Sequence, residues 1–423
     1  MKLTITPGPL RGTVKAIPSK SEAHRLLILA ALADAPTEII LSQSSADIEC
    51  ILSCLQALGA GVSRSPGRIT VDPVARAPHS PQLHCGESGS TLRFVLPLAA
   101  AFGRGGDFHG SGRLPERPLS ELIAVMKKRG VAFSQERLPF TITGKLRPGE
   151  YVLPGDVSSQ YLTGLLLALP RLTGDSVLQL TSELQSSAYV EMTLAALRRF
   201  GITVLASGRR FEIPGGQKYI SPGVIGIEGD WSSAAFFLVA GALGGPVAVT
   251  GLDPHSCQGD KEVLSILERF GASVERCSDG AVVSAGKAAG LALDVSEIPD
   301  LLPVLAAAAA SARGTTIFSG GKRLRFKESD RLTSTAAMIN SLGGSARELS
   351  GGLVIEGGSL TGGRVDSFRD HRIAMAAAVA AIGCSGPVVI DGAAAVEKSY
   401  PRFFTDYLEL GGVVDGISIR QSP

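Results

Sequence analysis

The chain has 423 residues, 44% of them hydrophobic and only 19% charged, so it carries enough apolar material for more than one dry core. A formal charge of +2 argues against nucleic acid or a membrane surface as partner. No stretch reaches the roughly 18 uninterrupted apolar residues of a membrane span, and the six cysteines lack the paired spacing of a zinc site. Scattered thiols suit a reducing compartment, so a cytoplasmic protein is expected.

From the start of the chain, Lys2–Thr6 alternates as a strand and Leu10–Ile17 continues extended into Pro18. A helix apolar on nearly every side follows, from about Ser21 to Ala33. Next come a strand at Glu38–Ser42, an amphipathic helix at Asp47–Leu58, and short strands at Gly61–Arg64 and Arg68–Val71. The order then recurs. Apolar helices start again near Gly89, Ser158, Asp230, Pro299 and Asp370, and later strands follow them at Asp107–Gly110, Ser176–Thr181, Pro246–Thr250, Thr315–Ser319 and Pro387–Asp391.

The amphipathic helices end on an apolar residue and a glycine, at Gly59, Gly130, Gly201, Gly271, Gly343 and Gly411, with intervals of 71, 71, 70, 72 and 68 residues. Glycine is the usual residue where a helix must stop in a left-handed turn. Six units of about seventy residues therefore build the chain. They divide naturally as three plus three, giving an α/β protein of two similar globular domains with apolar helices inside and sheets outside. No glycine-rich dinucleotide or nucleoside-triphosphate loop is present.

An apolar helix belongs in a core, but its polar start must lie where something can reach it, and its free N–H groups favour anions. The residues at these starts are Lys20, Ser21, Ser90, Thr91, Ser158, Ser159, Gln160, Asp300, His371 and Arg372. If the repeats stack alike, several starts converge, and that convergence is the expected active site. Arg25 and Arg93 lie inside otherwise apolar helices, where a buried guanidinium needs an anionic partner, and so point to an acidic ligand. Ser158, Ser159 and Gln160 exceed what a cap requires and suit phosphate. The run Lys322–Leu332 is the densest charge cluster, carrying Lys322, Arg323, Arg325, Lys327, Glu328, Asp330 and Arg331; Lys398 and Arg117 repeat the cation in other units. Asp300 and Glu328 are the candidates for proton transfer, since carboxylates in different surroundings can hold different protonation states. A helix cap for Asp300 and a plain ion pair for Glu328 are equally open.

The segments PSKSEAHR at Pro18–Arg25, GESGSTLR at Gly86–Arg93, ERP at Glu116–Pro118, GDVSSQY at Gly155–Tyr161, FKESDRL at Phe326–Leu332 and DHRIAMA at Asp370–Ala376 are together highly specific. With them the chain resembles the 5-enolpyruvylshikimate-3-phosphate synthases over essentially its whole length. The resemblance implies transfer of the enolpyruvyl group of phosphoenolpyruvate to the 5-hydroxyl of shikimate 3-phosphate, on the route to aromatic amino acids. It implies no cofactor and no metal, and small-molecule substrates as the only partners of an expected monomer. It also implies two domains of three βαβαββ units each, closing over both substrates. Residues 20–228 would bind mainly shikimate 3-phosphate, while residues 1–19 and 229–423 would carry much of the phosphoenolpyruvate site.

Carried over by motif, Ser158, Ser159 and Ser186 would hold the shikimate phosphate, and Gln160, Ser21, Arg25 and Asp300 the ring and its carboxylate, with Lys327 also in the substrate site. Lys20, Gly89, Arg117, Gln160, Arg331, Arg372 and Lys398 would line the phosphoenolpyruvate site. Asp300, together with Lys20, would take the hydroxyl proton, and Glu328 would protonate the methylene carbon. Gly89 implies inhibition by glyphosate. Glu87, Ser90 and Arg323 depart from the residues usual in the family, and an added carboxylate at Glu87 would weaken anion binding unless a cation meets it. Two rivals stand beside this reading. The sister enzyme acting on UDP-N-acetylglucosamine would have Asn after Lys20 and a Cys near Arg113–Pro118, and this chain has neither. A non-catalytic phosphate-binding repeat protein would not need Asp300 and Glu328 together.

Overall fold

The six glycines that end the amphipathic helices all adopt the left-handed turn, with φ from 73° at Gly201 to 100° at Gly59. The computed structural model describes residues 1–416. Its helices, in chain order, are α1 (Lys20–Leu32), α2 (Ala46–Ala57), α3 (Gly89–Phe102), α4 (Ser120–Lys128), α5 (Ser159–Ala168), α6 (Ser187–Arg199), α7 (Trp231–Gly244), α8 (Val263–Phe270), α9 (Leu302–Ala310), α10 (Arg331–Ser341), α11 (His371–Ala380) and α12 (Phe403–Glu409). The odd-numbered helices are the apolar ones, and every residue of α9 and α11 is buried. Each fully buried Leu or Ile contributes about 1.5–3 kcal/mol, so these helices hold the cores together.

The chain divides into two units, a first of Pro18–Ile227 and a second of Met1–Ile17 with Glu228–Pro423, each with its own apolar core. Among the described residues each unit has three four-stranded sheets. All six sheets share one pattern, a parallel pair extended on one side by two antiparallel strands. Strands such as Lys2–Thr6 bury alternate residues, so one face of the sheet packs on the helices and the other is more open to solvent.

Two sheets are completed by strands distant in sequence. Gly12–Lys15 pairs in parallel with Val247–Thr250 in the second unit. Its counterpart in the first unit is Val224–Gly226, parallel to Thr37–Ile40. The N-terminal strand Lys2–Thr6 lies between Val388–Asp391 and Val413–Asp415, antiparallel to both. Within the first unit α3 and α5 approach closely at Gly164, where a Cβ would stand 2.1 Å from the Arg93 carbonyl oxygen. Only glycine fits there, and the approach brings the starts of α3 and α5 together.

Candidate functional site

The starts of the apolar helices are capped as their small polar residues require. Ser19, Ser88, Ser158, Asp230 and Asp370 each accept a backbone N–H from the first turn of α1, α3, α5, α7 and α11. Ser19, not Ser21, caps α1, so Lys20 and Ser21 are its first helical residues. Asp300 is not a cap. It sits in a 3-10 turn, Pro299–Leu301, ahead of α9, and its carboxylate is engaged by cations instead.

In the first unit, Lys20 Nζ lies 2.9 Å from Asp47 of α2. Arg25 is buried, donates from Nε to Thr193 Oγ1 (2.9 Å) and from Nη2 to the Tyr189 carbonyl (2.8 Å), and lies over the Phe94 ring. Burial lowers its pKa to about 10, so it remains charged at neutral pH. Thr193 also meets Thr163 of α5 at 3.0 Å, so α1, α5 and α6 are tied at this point. Arg93 donates to Gln160 Oε1 (3.0 Å) and the Pro118 carbonyl (2.8 Å), linking α3 to α5 and to the turn that carries Arg117. A Cβ on Gly89 would stand 2.5 Å from Arg93 Nη1 and 2.8 Å from Arg117 Nη1, so both guanidinium groups crowd this backbone position. Ser158 and Ser159 precede Gln160 at the start of α5, and Ser186, with φ 55°, precedes α6. Near Lys20, His24 is buried against the Asp47 carbonyl, and desolvation lowers its pKa to about 4.

In the second unit one network holds six of the residues expected from sequence. Arg331 is 1% exposed and reaches three carboxylates, Asp300 Oδ1 (2.7 Å), Glu328 Oε2 (2.7 Å) and Asp370 Oδ2 (2.8 Å). Asp300 also meets Lys327 (3.4 Å) and Arg372 (3.2 Å), and Lys398 stands 3.6 Å from Glu328. Burial alone would raise the Asp300 carboxyl, but Arg372, Lys327 and Arg331 together hold it well below the usual carboxylate range. The cations Lys327, Arg331, Arg372 and Lys398 thus stand among the carboxylates of Asp300, Glu328 and Asp370.

The charge run Lys322–Leu332 separates in three dimensions. Lys327, Glu328 and Arg331 enter the network, whereas Arg325 pairs with Asp330 and Glu348, and Arg323 donates to the Ser296 carbonyl. Asp47, Thr193 and Asp370 were not among the residues singled out for function, yet they orient Lys20, Arg25 and Arg331. A signal existed for Asp370, since it directly precedes the buried His371-Arg372 pair. Among the described residues no cluster of three or more His, Cys, Asp or Glu is placed to hold a metal ion, and no helix is long and apolar enough to cross a membrane.

This architecture is that of the enolpyruvyl transferases. The enolpyruvyl transferase NikO from Streptomyces tendae has the same fold, with a TM-score of 0.79 at 18% identity over 98% of each chain. A solved EPSP synthase from Acinetobacter baumannii matches with a TM-score of 0.81 at 27% identity, covering 98% of this chain and 100% of that one. The family model for EPSP synthase (3-phosphoshikimate 1-carboxyvinyltransferase) matches residues 5–407, and the chain belongs to that family. Curated 3-phosphoshikimate 1-carboxyvinyltransferases of Clostridium kluyveri and Clostridium novyi are 43% and 39% identical to it, over 99% and 98% of both chains respectively.

Proposed function

We infer that this chain transfers the enolpyruvyl group of phosphoenolpyruvate to the 5-hydroxyl of shikimate 3-phosphate, releasing phosphate. The observation that carries the reading is the pair Asp300 and Glu328, held by one buried guanidinium among further cations. Ser158, Ser159 and Ser186 hold the shikimate phosphate, while Gln160, Ser21, Arg25 and Lys327 hold the ring and carboxylate. Lys20, Gly89, Arg117, Gln160, Arg331, Arg372 and Lys398 receive phosphoenolpyruvate. The first unit thus serves mainly shikimate 3-phosphate, and the second much of the phosphoenolpyruvate site.

Asp300, with Lys20, takes the proton of the 5-hydroxyl as that oxygen bonds to C2 of phosphoenolpyruvate. Glu328 gives a proton to C3, and the product of addition is a tetrahedral ketal. Elimination reverses the carbon step, since C3 returns its proton to Glu328 as the C2–O bond to phosphate breaks and phosphate leaves with the proton from Asp300. In the resting network Asp300 is a weak base because cations surround it. When the substrate anions draw on Arg372 and Lys327, its basicity rises at the moment it is needed. The enzyme acts as a monomer in the cytoplasm.

The test is phosphate release with phosphoenolpyruvate plus shikimate 3-phosphate, against phosphoenolpyruvate plus UDP-N-acetylglucosamine and phosphoenolpyruvate alone. Turnover is expected only with the first pair, and release with the nucleotide sugar instead would overturn the reading. Glyphosate is expected to inhibit in competition with phosphoenolpyruvate; full activity at millimolar inhibitor counts against this. Gly89→Ala is expected to leave the fold intact, because the atoms its methyl meets are the guanidinium ends of the Arg93 and Arg117 side chains and not backbone. Displacing those ends raises KM for phosphoenolpyruvate by about tenfold or more, equivalent to about 1.4 kcal/mol. An unchanged KM would show that the two guanidinium groups do not serve this substrate.

A further inference from the structure

The residue that follows Glu328 is a buried serine to which the reaction assigns no part. Glu328 and Ser329 lie in the short connection Lys327–Asp330, between the 3-10 turn Lys322–Phe326 and α10, where neither a helix nor a sheet ladder fixes the backbone. Side chains fix it instead. The Asp330 carboxylate accepts the Leu332 and Thr333 N–H groups and caps α10. Ser329 is 5% exposed, and its hydroxyl lies 3.0 Å from Asp370 Oδ2 and 2.8 Å from the Ser334 hydroxyl on α10. Ser334 also reaches back to the Asp330 carbonyl at 2.9 Å. Since a carboxylate paired with Arg331 can only accept, the Ser329 proton is directed to Asp370.

The oxygen that Ser329 reaches, Asp370 Oδ2, also accepts Arg331 Nε at 2.8 Å, and Arg331 Nη2 in turn holds Glu328 Oε2 at 2.7 Å. The contacts close a ring, from Glu328 to Arg331, to Asp370, to Ser329, and back to Glu328 along one peptide bond. Glu328 is therefore held at two points, its carboxylate by Arg331 and its backbone by Ser329, and both ties end on the same fully buried carboxylate. A side chain gripped only at its tip can pivot with its backbone, whereas one tied at both ends keeps a single direction. We infer that Ser329 is a positioning residue for proton transfer to carbon: by anchoring the Glu328 backbone to Asp370 it aims the Glu328 carboxyl at C3 of phosphoenolpyruvate. The inference rests on the function proposed above. Arg331 keeps its own bonds to Asp300, Glu328 and Asp370 without Ser329, so the hold on the substrate anion does not pass through this hydroxyl.

The experiment measures kcat, KM for phosphoenolpyruvate and the solvent deuterium isotope effect on kcat in the full-length enzyme, Ser329→Ala and Ser329→Thr. Ser329→Ala is expected to lower kcat by roughly ten- to a hundredfold, the scale of a small misplacement of a reacting group. Its KM stays within about twofold of the parent, since the interaction lost acts on the chemical step and not on binding. The isotope effect grows, because proton transfer to C3 becomes the slow step. Ser329→Thr restores the hydroxyl and should recover most of the rate. A Ser329→Ala variant as fast as the parent, a loss of rate with an unchanged isotope effect, or a Ser329→Thr variant as slow as Ser329→Ala would each overturn the inference. If Ser329→Ala does not fold, Ser329→Cys, close in volume but a weak donor, is held to the same criteria. A parent that releases no phosphate from the substrate pair would overturn the proposed function itself, a distinct result.

Discussion

Asp300→Asn is expected to lower kcat by about two to four orders of magnitude while KM for phosphoenolpyruvate stays level or falls. The amide keeps the shape of the carboxylate and can still accept from Arg331, so the network survives. What disappears is the carboxylate proposed to take the hydroxyl proton. With that negative charge gone, Arg372, Lys327 and Arg331 have more attraction left for an anion, and binding does not suffer. Glu328→Gln should lose rate on the same scale, because a carboxamide cannot deliver a proton to carbon. Steady-state kinetics decide the matter. A loss below tenfold in either variant would remove that residue from the proton chemistry, and a loss carried wholly by KM would recast it as a binding group.

Arg331→Leu should be the most damaging single substitution for stability. One buried guanidinium serves Asp300, Glu328 and Asp370, and Asp370 is itself fully buried at the start of α11. Removing one partner of a buried ion pair costs about 3–5 kcal/mol, because the charges left behind remain desolvated. The deficit has a definite pH dependence. In the parent, cations that include Arg331 hold the Asp300 carboxyl below its usual range, which contributes stability above the unfolded carboxylate pKa and loses it as pH falls through the folded value. The variant lacks part of that contribution, so the gap between the two narrows in acid and is widest at neutral pH. Urea unfolding at both ends of the range measures it. Arg325→Leu is the internal control, since its partners Asp330 and Glu348 are about one-third exposed and its loss should cost less than about 1 kcal/mol. Equal costs for the two arginines would refute the keystone role of Arg331.

Local signals carried much of this protein's design. The six glycine stops are legible because a left-handed backbone penalises any Cβ, so chemistry at one position dictates the turn whatever surrounds it. The six apolar helices are legible because their composition admits no exposed face, and the candidate residues Lys20, Ser158 and Arg372 announce themselves as polar groups at the starts of those helices.

Which partner each charge would find was a different kind of question. Nothing in the run Lys322–Leu332 separates Arg331, at the centre of three carboxylates, from Arg325, tied to partners about one-third exposed, because the division depends on which distant segments pack against the turn Lys322–Phe326 and which against the start of α10. The pairing of Gly12–Lys15 with Val247–Thr250 was likewise beyond local reading, since a strand's alternation records that one face is buried but not which open sheet edge will bury it. By itself the sequence determined the repeat and the helices and marked the candidate reactive groups, all set within a few residues of backbone. Only the tertiary structure decided the pairing of distant strands and the partners of buried charges, because those follow from contacts among segments far apart in the chain.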